Sequence, residues 1–91
     1  MATTITFGRI LTTPGARDAF AENNQNPLTF LSRHCAGDWG DLSLEDKKLN
    51  DRALMDGSRL LSAYHLNDGT KIYIITEADR SATTFLLPEE Y

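Results

Sequence analysis

The chain has 91 residues, of which 41% are hydrophobic and 24% charged, and its formal net charge is −4. This size predicts one globular domain, residues 1–91, with a thin core, and the negative charge argues against a generic nucleic-acid binder, which usually presents a basic stripe. No apolar run reaches the ~18 residues of a membrane span, no secretory signal is visible, and Cys35 is the single cysteine, so we expect a cytoplasmic protein without membrane contact.

The first half of the chain predicts one strand and three helices. Each helix start is marked by Thr, Asn or Ser, whose side-chain oxygen can accept a free backbone amide, and two of these residues precede a proline suited to the first turn. Glycine, which accepts the left-handed conformation, is predicted to end the second and third helices. The predicted elements are a strand at 4–11 and helices at 14–24, 27–36 and 44–56.

The inward faces of these helices follow from the helical period. In the second helix, Leu28, Leu31 and Cys35 have the i, i+3, i+7 spacing of a buried stripe, and Phe30 and His34 lie on a neighbouring flank. The other inward residues are predicted to be Ala16, Ala19 and Phe20 in the first helix, and Leu49, Ala53 and Leu54 in the third.

The last third of the chain reads as three strands, at 59–66, 71–76 and 83–87. Asp68-Gly69 suits a two-residue type I′ hairpin turn, which would pair Tyr64 with Tyr73. The order β-α-α-α-β-β-β predicts an α+β fold. We expect an antiparallel sheet, built from the C-terminal three-strand meander plus the N-terminal strand, with the helices packed on one face.

The stretch from His34 to Leu42, HCAGDWGDL, joins the second and third helices and concentrates reactive side chains. Neighbouring helical residues point about 100° apart, so His34 and Cys35 do not form a nucleophile–base pair, and no catalytic residue is predicted. Trp39 at the helix junction has two alternatives, core packing or display as an anchor for a partner. An anchor predicts that Trp39→Ala weakens partner capture with little loss of folding, whereas a core residue predicts a large drop in melting temperature.

His34, Asp38 and His65 define the metal-site alternative, because imidazole and carboxylate groups are common metal ligands. Gly37 is predicted to break the helix between His34 and Asp38, and no metal-binding motif is present. The sequence therefore predicts no metal and no cofactor, while a small metal-dependent enzyme or nuclease using these three residues stays an alternative hypothesis.

A second polar segment, residues 76–84 (TEADRSATT), is dense in hydrogen-bonding side chains. It is either a solvated loop, in which Asp79 and Ser81 satisfy local amides, or part of a binding surface. The candidate binding surface combines this segment with the loop before the third helix. Its residues are His34, Asp38, Trp39, Asp41, Glu77, Asp79 and Arg80.

Five stretches carry a resemblance over nearly the whole chain: ILTTPGARDAF (10–20), RHCAGDWGDL (33–42), EDKKLNDRAL (45–54), RLLSAYHL (59–66) and ITEADRSATTFLLPEEY (75–91). In them the chain resembles a family of small, about 90-residue bacterial proteins of plasmids, integrative elements and phages, called plasmid-related proteins and sometimes type I restriction endonuclease subunit M. The restriction label does not fit, because 91 residues cannot hold a methyltransferase fold. The resemblance carries over no catalytic residue and implies a mobile-element context.

These observations together favour a non-enzymatic protein that acts through protein–protein contact. The mobile-element context implies an anti-defence role, the inhibition of host restriction or CRISPR machinery. The alternatives are the metal-dependent enzyme described above and a nucleic-acid-associated regulator of the element, which needs a basic face. The expected partner is a protein of unknown identity, and a homo-oligomer is an open alternative.

Overall fold

The computed structural model describes residues 7–91, and within that range the order of elements is the predicted one. The elements are β1 (Arg9–Thr12), α1 (Pro14–Glu22), α2 (Pro27–Cys35), α3 (Leu44–Asp56), β2 (Leu60–His65), β3 (Lys71–Thr76), β4 (Ala82–Leu86) and a 3₁₀ turn at Pro88–Glu90. The α+β class is confirmed. Residues 4–6 of the predicted first strand lie outside the described residues, and none of the helices described is long and apolar enough to cross a membrane.

Local capping chemistry fixes where the helices begin and end. The side chains of Thr13, Asn26 and Ser43 accept hydrogen bonds from first-turn amides of α1, α2 and α3, as predicted. Gly57 ends α3 with a left-handed φ of 80°, a conformation that glycine adopts without steric cost. A few residues next to each helix end therefore determine the helix boundaries.

The four strands form one sheet in the order β1-β4-β3-β2. β2, β3 and β4 make the predicted antiparallel meander, but β1 pairs with β4 in the parallel direction. The sheet is therefore mixed, and the prediction of an antiparallel N-terminal strand was wrong. A tight hairpin forces antiparallel pairing, whereas β1 connects to the rest of the sheet through three helices, and such a crossover permits a parallel strand.

The β2–β3 turn is one residue longer than predicted, and this shifts the register of the hairpin. Leu66 and Thr70 close a three-residue loop through a 2.8 Å backbone hydrogen bond, and Gly69 takes a φ of 89°. Tyr64 consequently pairs with Ile72 rather than with Tyr73. Cross-strand partners share a face of the sheet, so the observed register brings two fully buried side chains together.

The core lies between the sheet and the first two helices. The three α1 residues predicted to point inward, Ala16, Ala19 and Phe20, are buried. Phe20 contacts Phe85 of β4 with ring centroids 5.7 Å apart. Phe30 of α2 lies between Phe20 and Tyr64, at 5.8 Å and 5.4 Å from the two ring centroids. The buried cluster consists of Ala16, Ala19, Phe20, Phe30, Tyr64, Leu66, Ile72, Ile74 and Phe85. We call the face of the sheet that carries this cluster the inner face and the opposite one the outer face.

The inward face of α2 differs from the predicted stripe. Phe30 and His34 are buried, whereas Leu28 is 60% exposed and Cys35 is also exposed. Both stripes satisfy the helical period, so periodicity alone could not choose between them. Phe30 fills a space between two aromatic rings and His34 finds hydrogen-bond partners in the sheet, which decides the rotation of the helix.

α3 lies along the β2 edge of the sheet and has a polar residue at the centre of its inward face. Ala53 is buried and Leu54 half-buried, as predicted, but Leu49 is 56% exposed and Asn50 is buried in its place. Asn50 can be buried there because both ends of its side-chain amide are hydrogen-bonded. Nδ2 donates to the Leu61 carbonyl at 2.5 Å, and the Leu61 amide donates to Oδ1 at 3.0 Å.

The loop before α3 closes the next part of the same edge. The Ala63 amide of β2 donates to the Trp39 carbonyl at 3.1 Å, and the Asp41 amide donates to the Ala63 carbonyl at 2.6 Å. Gly40 makes this approach possible, because a Cβ there would lie 2.0 Å from the Ala63 oxygen. Together with Asn50, the loop satisfies backbone groups that an edge strand otherwise leaves open.

Candidate functional site

A chain of buried polar groups begins at His34, one of the predicted site residues. Its Nδ1 lies 2.5 Å from Ser62 Oγ and its Nε2 lies 2.9 Å from Thr76 Oγ1. Thr76 Oγ1 is 2.8 Å from Thr83 Oγ1, and Thr83 donates to the carbonyl oxygen of Phe7 at 2.9 Å. The four side chains are fully buried on the inner face and span α2, β2, β3 and β4.

The Phe7 carbonyl, at the end of this series of hydrogen bonds, fixes the direction of each of them. A carbonyl only accepts, so the Thr83 hydroxyl donates to it and must itself accept from Thr76. Thr76 has then used its proton, so His34 donates from Nε2 and accepts at Nδ1 from the Ser62 hydroxyl. His34 is therefore a neutral imidazole that carries its proton on Nε2.

The Ser62–His34 contact has the geometry of a nucleophile and its base, but both residues have zero exposed surface. Burial, and to a smaller extent the nearby charge of Arg80, lowers the pKa of His34 to about 4. The imidazole is accordingly neutral at pH 7, as the hydrogen-bond directions require. Because no substrate reaches Ser62 in this conformation, the contact has a structural role in the core. We call the buried hydrogen-bonded side chains of His34, Ser62, Thr76 and Thr83 the polar lock.

Asp38 shapes the loop between α2 and α3. Arg33 Nε donates to Asp38 Oδ2 at 2.7 Å, and the Gly40 amide donates to Asp38 Oδ1, which forms an Asx turn. The Arg33 hydrogen bond is the main cause that holds the pKa of Asp38 below its ordinary value. Arg33 also lies over the Tyr64 ring, 4.5 Å from its centroid, and the Tyr64 hydroxyl donates to the Asp38 carbonyl. Asp38 is exposed, but much of its hydrogen-bonding capacity is used within the loop.

Trp39 belongs to the core, which decides between the two alternatives of core packing and display as an anchor for a partner. Its side chain is 3% exposed and packs in a second buried cluster with Ala53 and Leu60. The indole Nε1 donates to Asp51 Oδ1 at 2.9 Å, and the ring meets His34 edge to face with centroids 5.6 Å apart. The packing alternative is confirmed, and the ring is not displayed on the surface.

The three residues of the metal-site alternative are held apart by different partners. His34 lies in the core, Asp38 pairs with Arg33, and His65 Nδ1 lies 2.7 Å from Asp41 Oδ2 on the surface. Between residues 7 and 91 no three His, Cys, Asp or Glu side chains come together in a way that could hold a metal ion. The geometry therefore gives no support to a metal-dependent reaction at His34, Asp38 and His65.

The 77–81 loop divides into exposed acids and a structural arginine. Glu77 and Asp79 are exposed. Hydrogen bonding from Ser81, first from its side chain and then from its amide at 2.9 Å, holds the pKa of Asp79 below the ordinary value. Arg80 instead donates to the backbone carbonyls of Ser58 at 2.8 Å and of Ala53 at 3.3 Å, so it ties the loop to the end of α3. Of the predicted binding residues, the exposed ones are Asp38, Asp41, Glu77 and Asp79.

A groove next to the HCAGDWGDL loop was not predicted. It has a volume of about 210 Å³ and lies between α3 and β2. Its apolar walls are Leu42, Leu49 and Leu61, and its polar residues are Asp46, Asn50 and Arg59. The sequence signal was Leu49, which follows the helical period as a core residue would but is left on the surface once Asn50 occupies the inward position.

Comparison of the chain with protein-family models, curated proteins and solved structures finds no match. What the structure defines is a small α+β protein with a mixed four-stranded sheet, a sealed polar lock at His34 and an open apolar groove beside α3.

Proposed function

We propose that this protein is a non-enzymatic protein-binding factor of a mobile genetic element, of the kind that inhibits host restriction or CRISPR machinery. The observation that carries the proposal is the groove between α3 and β2. Its volume of about 210 Å³ suits one leucine- or phenylalanine-sized side chain, and a single large anchor in a pocket is the usual centre of a protein interface.

The lining of the groove favours recognition over chemistry. Its ionisable side chains are Asp46 and Arg59, which can select a partner by charge. The Asn50 amide is already engaged with the Leu61 backbone, and the remaining lining residues are leucines. A reaction would need a nucleophile, a base or a metal in this space. The groove therefore supports a binding role.

The acidic balance of the chain, a formal net charge of −4, adds a preference for a basic partner. Asp41 immediately precedes Leu42 of the groove, and Asp38 is exposed on the same loop. Proteins that cut or bind DNA present basic surfaces to it, and an acidic protein can occupy such a surface through charge complementarity. This complementarity supports a nucleic-acid-binding defence complex as the target.

Leu49→Asp should strongly weaken partner binding without unfolding the protein. Leu49 is 56% exposed, so a carboxylate there stays hydrated while it makes the groove polar. We expect at least a tenfold loss of the captured partner, measured by quantitative mass spectrometry after affinity capture from host cells. Leu28→Asp is the matched control, because Leu28 is 60% exposed on α2 and does not line the groove.

Equal capture by wild type, Leu49→Asp and Leu28→Asp would contradict the groove as the binding site. The anti-defence role is tested separately by co-expression with a restriction or CRISPR system and by measurement of phage plating. Protection by the wild type that Leu49→Asp loses and Leu28→Asp keeps would support it, while absence of protection against such systems would remove that part of the proposal.

A nucleic-acid regulator remains a second candidate because of one cluster on the outer face. Lys71 Nζ lies 5.2 Å from the Tyr73 ring centroid, Arg59 lies over Tyr91 at 5.4 Å, and the two rings are 6.0 Å apart. Cations next to exposed aromatic rings are typical of single-strand binding surfaces. A salt-dependent gel shift with a single-stranded oligonucleotide, weakened by Tyr73→Ala, would favour this candidate, and no shift at low salt would exclude it.

A further inference from the structure

Within residues 7–91, the two edges of the sheet differ in whether their backbone groups are covered. At the β2 edge, Asn50 and the loop at Trp39–Asp41 satisfy the outward groups of Leu61 and Ala63. At the β1 edge, the amides of Arg9 and Thr13 donate inward to the carbonyls of Ser81 and Phe85, at 3.0 Å each. Because successive residues of a strand point their backbone groups to opposite sides, the N–H and C=O of Ile10 and Thr12 point outward.

The open β1 edge also carries apolar side chains. Ile10 is 46% exposed and Leu11 39% exposed, on opposite faces of the same four-residue strand. Among residues 7–91, β4 is the strand that pairs with β1. An edge with free backbone groups and exposed aliphatic side chains is a template for a further strand, and natural proteins usually protect such an edge. The β2 edge has that protection.

We propose that the β1 edge pairs with the β1 edge of a second copy of this chain. An antiparallel pair with its two-fold axis at Leu11 places Ile10 opposite Thr12 of the second copy. These are the residues whose N–H and C=O point outward, so the two symmetric pairs form four backbone hydrogen bonds. Leu11 lies directly opposite Leu11 of the second copy, where the strands approach most closely and the two side chains bury each other.

The charges at the ends of β1 complement each other in the same register. The next pair along places Arg9 opposite Thr13 of the second copy. Thr13 Oγ1 donates to Glu90 Oε1 at 2.5 Å, and the Gly15 amide donates to Glu90 Oε2 at 3.2 Å, so the Glu90 carboxylate is fixed beside Thr13. Each exposed Arg9 therefore comes next to a Glu90 of the other copy, which gives two symmetry-related ion pairs.

The protected β2 edge explains why this assembly closes at two copies. Pairing at β1 joins two four-stranded sheets into one of eight strands whose outer edges are both β2. Those edges are covered, so the dimer does not extend into a fibre. The interface lies at the opposite edge of the sheet from the α3–β2 groove, so loss of the dimer and loss of the proposed partner binding are separate observations.

The oligomeric state of Thr12→Pro tests this dimer. Proline removes the outward N–H of Thr12 and places its ring at the pairing edge, while the inward hydrogen bonds of the Arg9 and Thr13 amides remain. By light scattering with size-exclusion chromatography over a concentration series, the wild type should have twice the chain mass and Thr12→Pro the chain mass. Thr12→Val, which keeps the N–H, should stay dimeric, and circular dichroism checks the fold.

Arg9→Glu provides an independent test if Thr12→Pro impairs folding. It replaces an exposed side chain and sets two carboxylates against each other at each end of the interface, so the dimer dissociation constant should rise at least tenfold. Leu28→Lys, an exposed change on α2, should leave the constant unchanged. A monomeric wild type at the highest concentration, or a dimer indifferent to both Thr12→Pro and Arg9→Glu, would overturn the proposal.

Discussion

Trp39→Ala should lower the free energy of unfolding by about 3–5 kcal/mol, the cost of removing a buried aromatic side chain and leaving a cavity. The indole fills the space between Ala53 of α3 and Leu60 of β2 and packs edge to face against His34. A domain of this size shifts its melting temperature by roughly 4–8 °C per kcal/mol, so we expect a drop of at least about 12 °C. Differential scanning calorimetry and urea titration measure it.

Asp51→Ala separates the packing of the Trp39 ring from its hydrogen bond. Asp51 is exposed and accepts from the indole Nε1 at 2.9 Å, so this variant removes the bond and keeps the ring. Its cost should be about 1–3 kcal/mol, because the N–H of the buried indole loses a charged acceptor. If Trp39→Ala cost no more than Asp51→Ala, the assignment of Trp39 to the core would be wrong.

The helix boundaries could be predicted because the physics that sets them is local. Thr13, Asn26 and Ser43 reach amides two or three residues away, and each does so in the fold. The direction of β1 and the rotation of α2 could not be predicted in this way. Both depend on residues far along the chain, such as Ser62 and Thr76, which hold His34 inward.

In the candidate site, too, the local features could be predicted from the sequence and the long-range ones could not. The Asx turn at Asp38 is local, because its side chain accepts from the amide of Gly40 two residues later. The groove required Leu42, Leu49 and Leu61 from a loop, a helix and a strand to meet, and no spacing in the sequence encodes that meeting. Arg80, predicted as a binding residue, is instead used to hold the 77–81 loop to the backbone at Ser58.

Acid should destabilise this protein well above the pH at which its carboxylates titrate, because of His34. The pKa of its buried imidazole is about 4, against an ordinary value of 6.5 that the unfolded chain restores. The unfolded state therefore binds more protons than the folded state between pH 6.5 and 4. The contribution of neutral His34 to the free energy of unfolding is fully present above pH 6.5 and is lost as the pH falls through this window. At ~1.36 kcal/mol per pKa unit, the loss is about 2 kcal/mol from pH 7 to 5 and about 3 kcal/mol by pH 4.

The pH window separates His34 from the acidic groups. Asp38, Asp56, Asp68, Asp79 and Glu90 all have a lowered pKa, so their contribution to stability is present above their unfolded values near pH 4 and is lost only below them.

Urea titrations between pH 5 and 7, in a His65→Asn background that leaves His34 as the single histidine, isolate its contribution. In the same background, His34→Gln should flatten the slope. NMR titration of the imidazole tests the cause directly even if that variant fails to fold, and a His34 midpoint near 6.5 in the native protein would contradict the sealed, neutral lock.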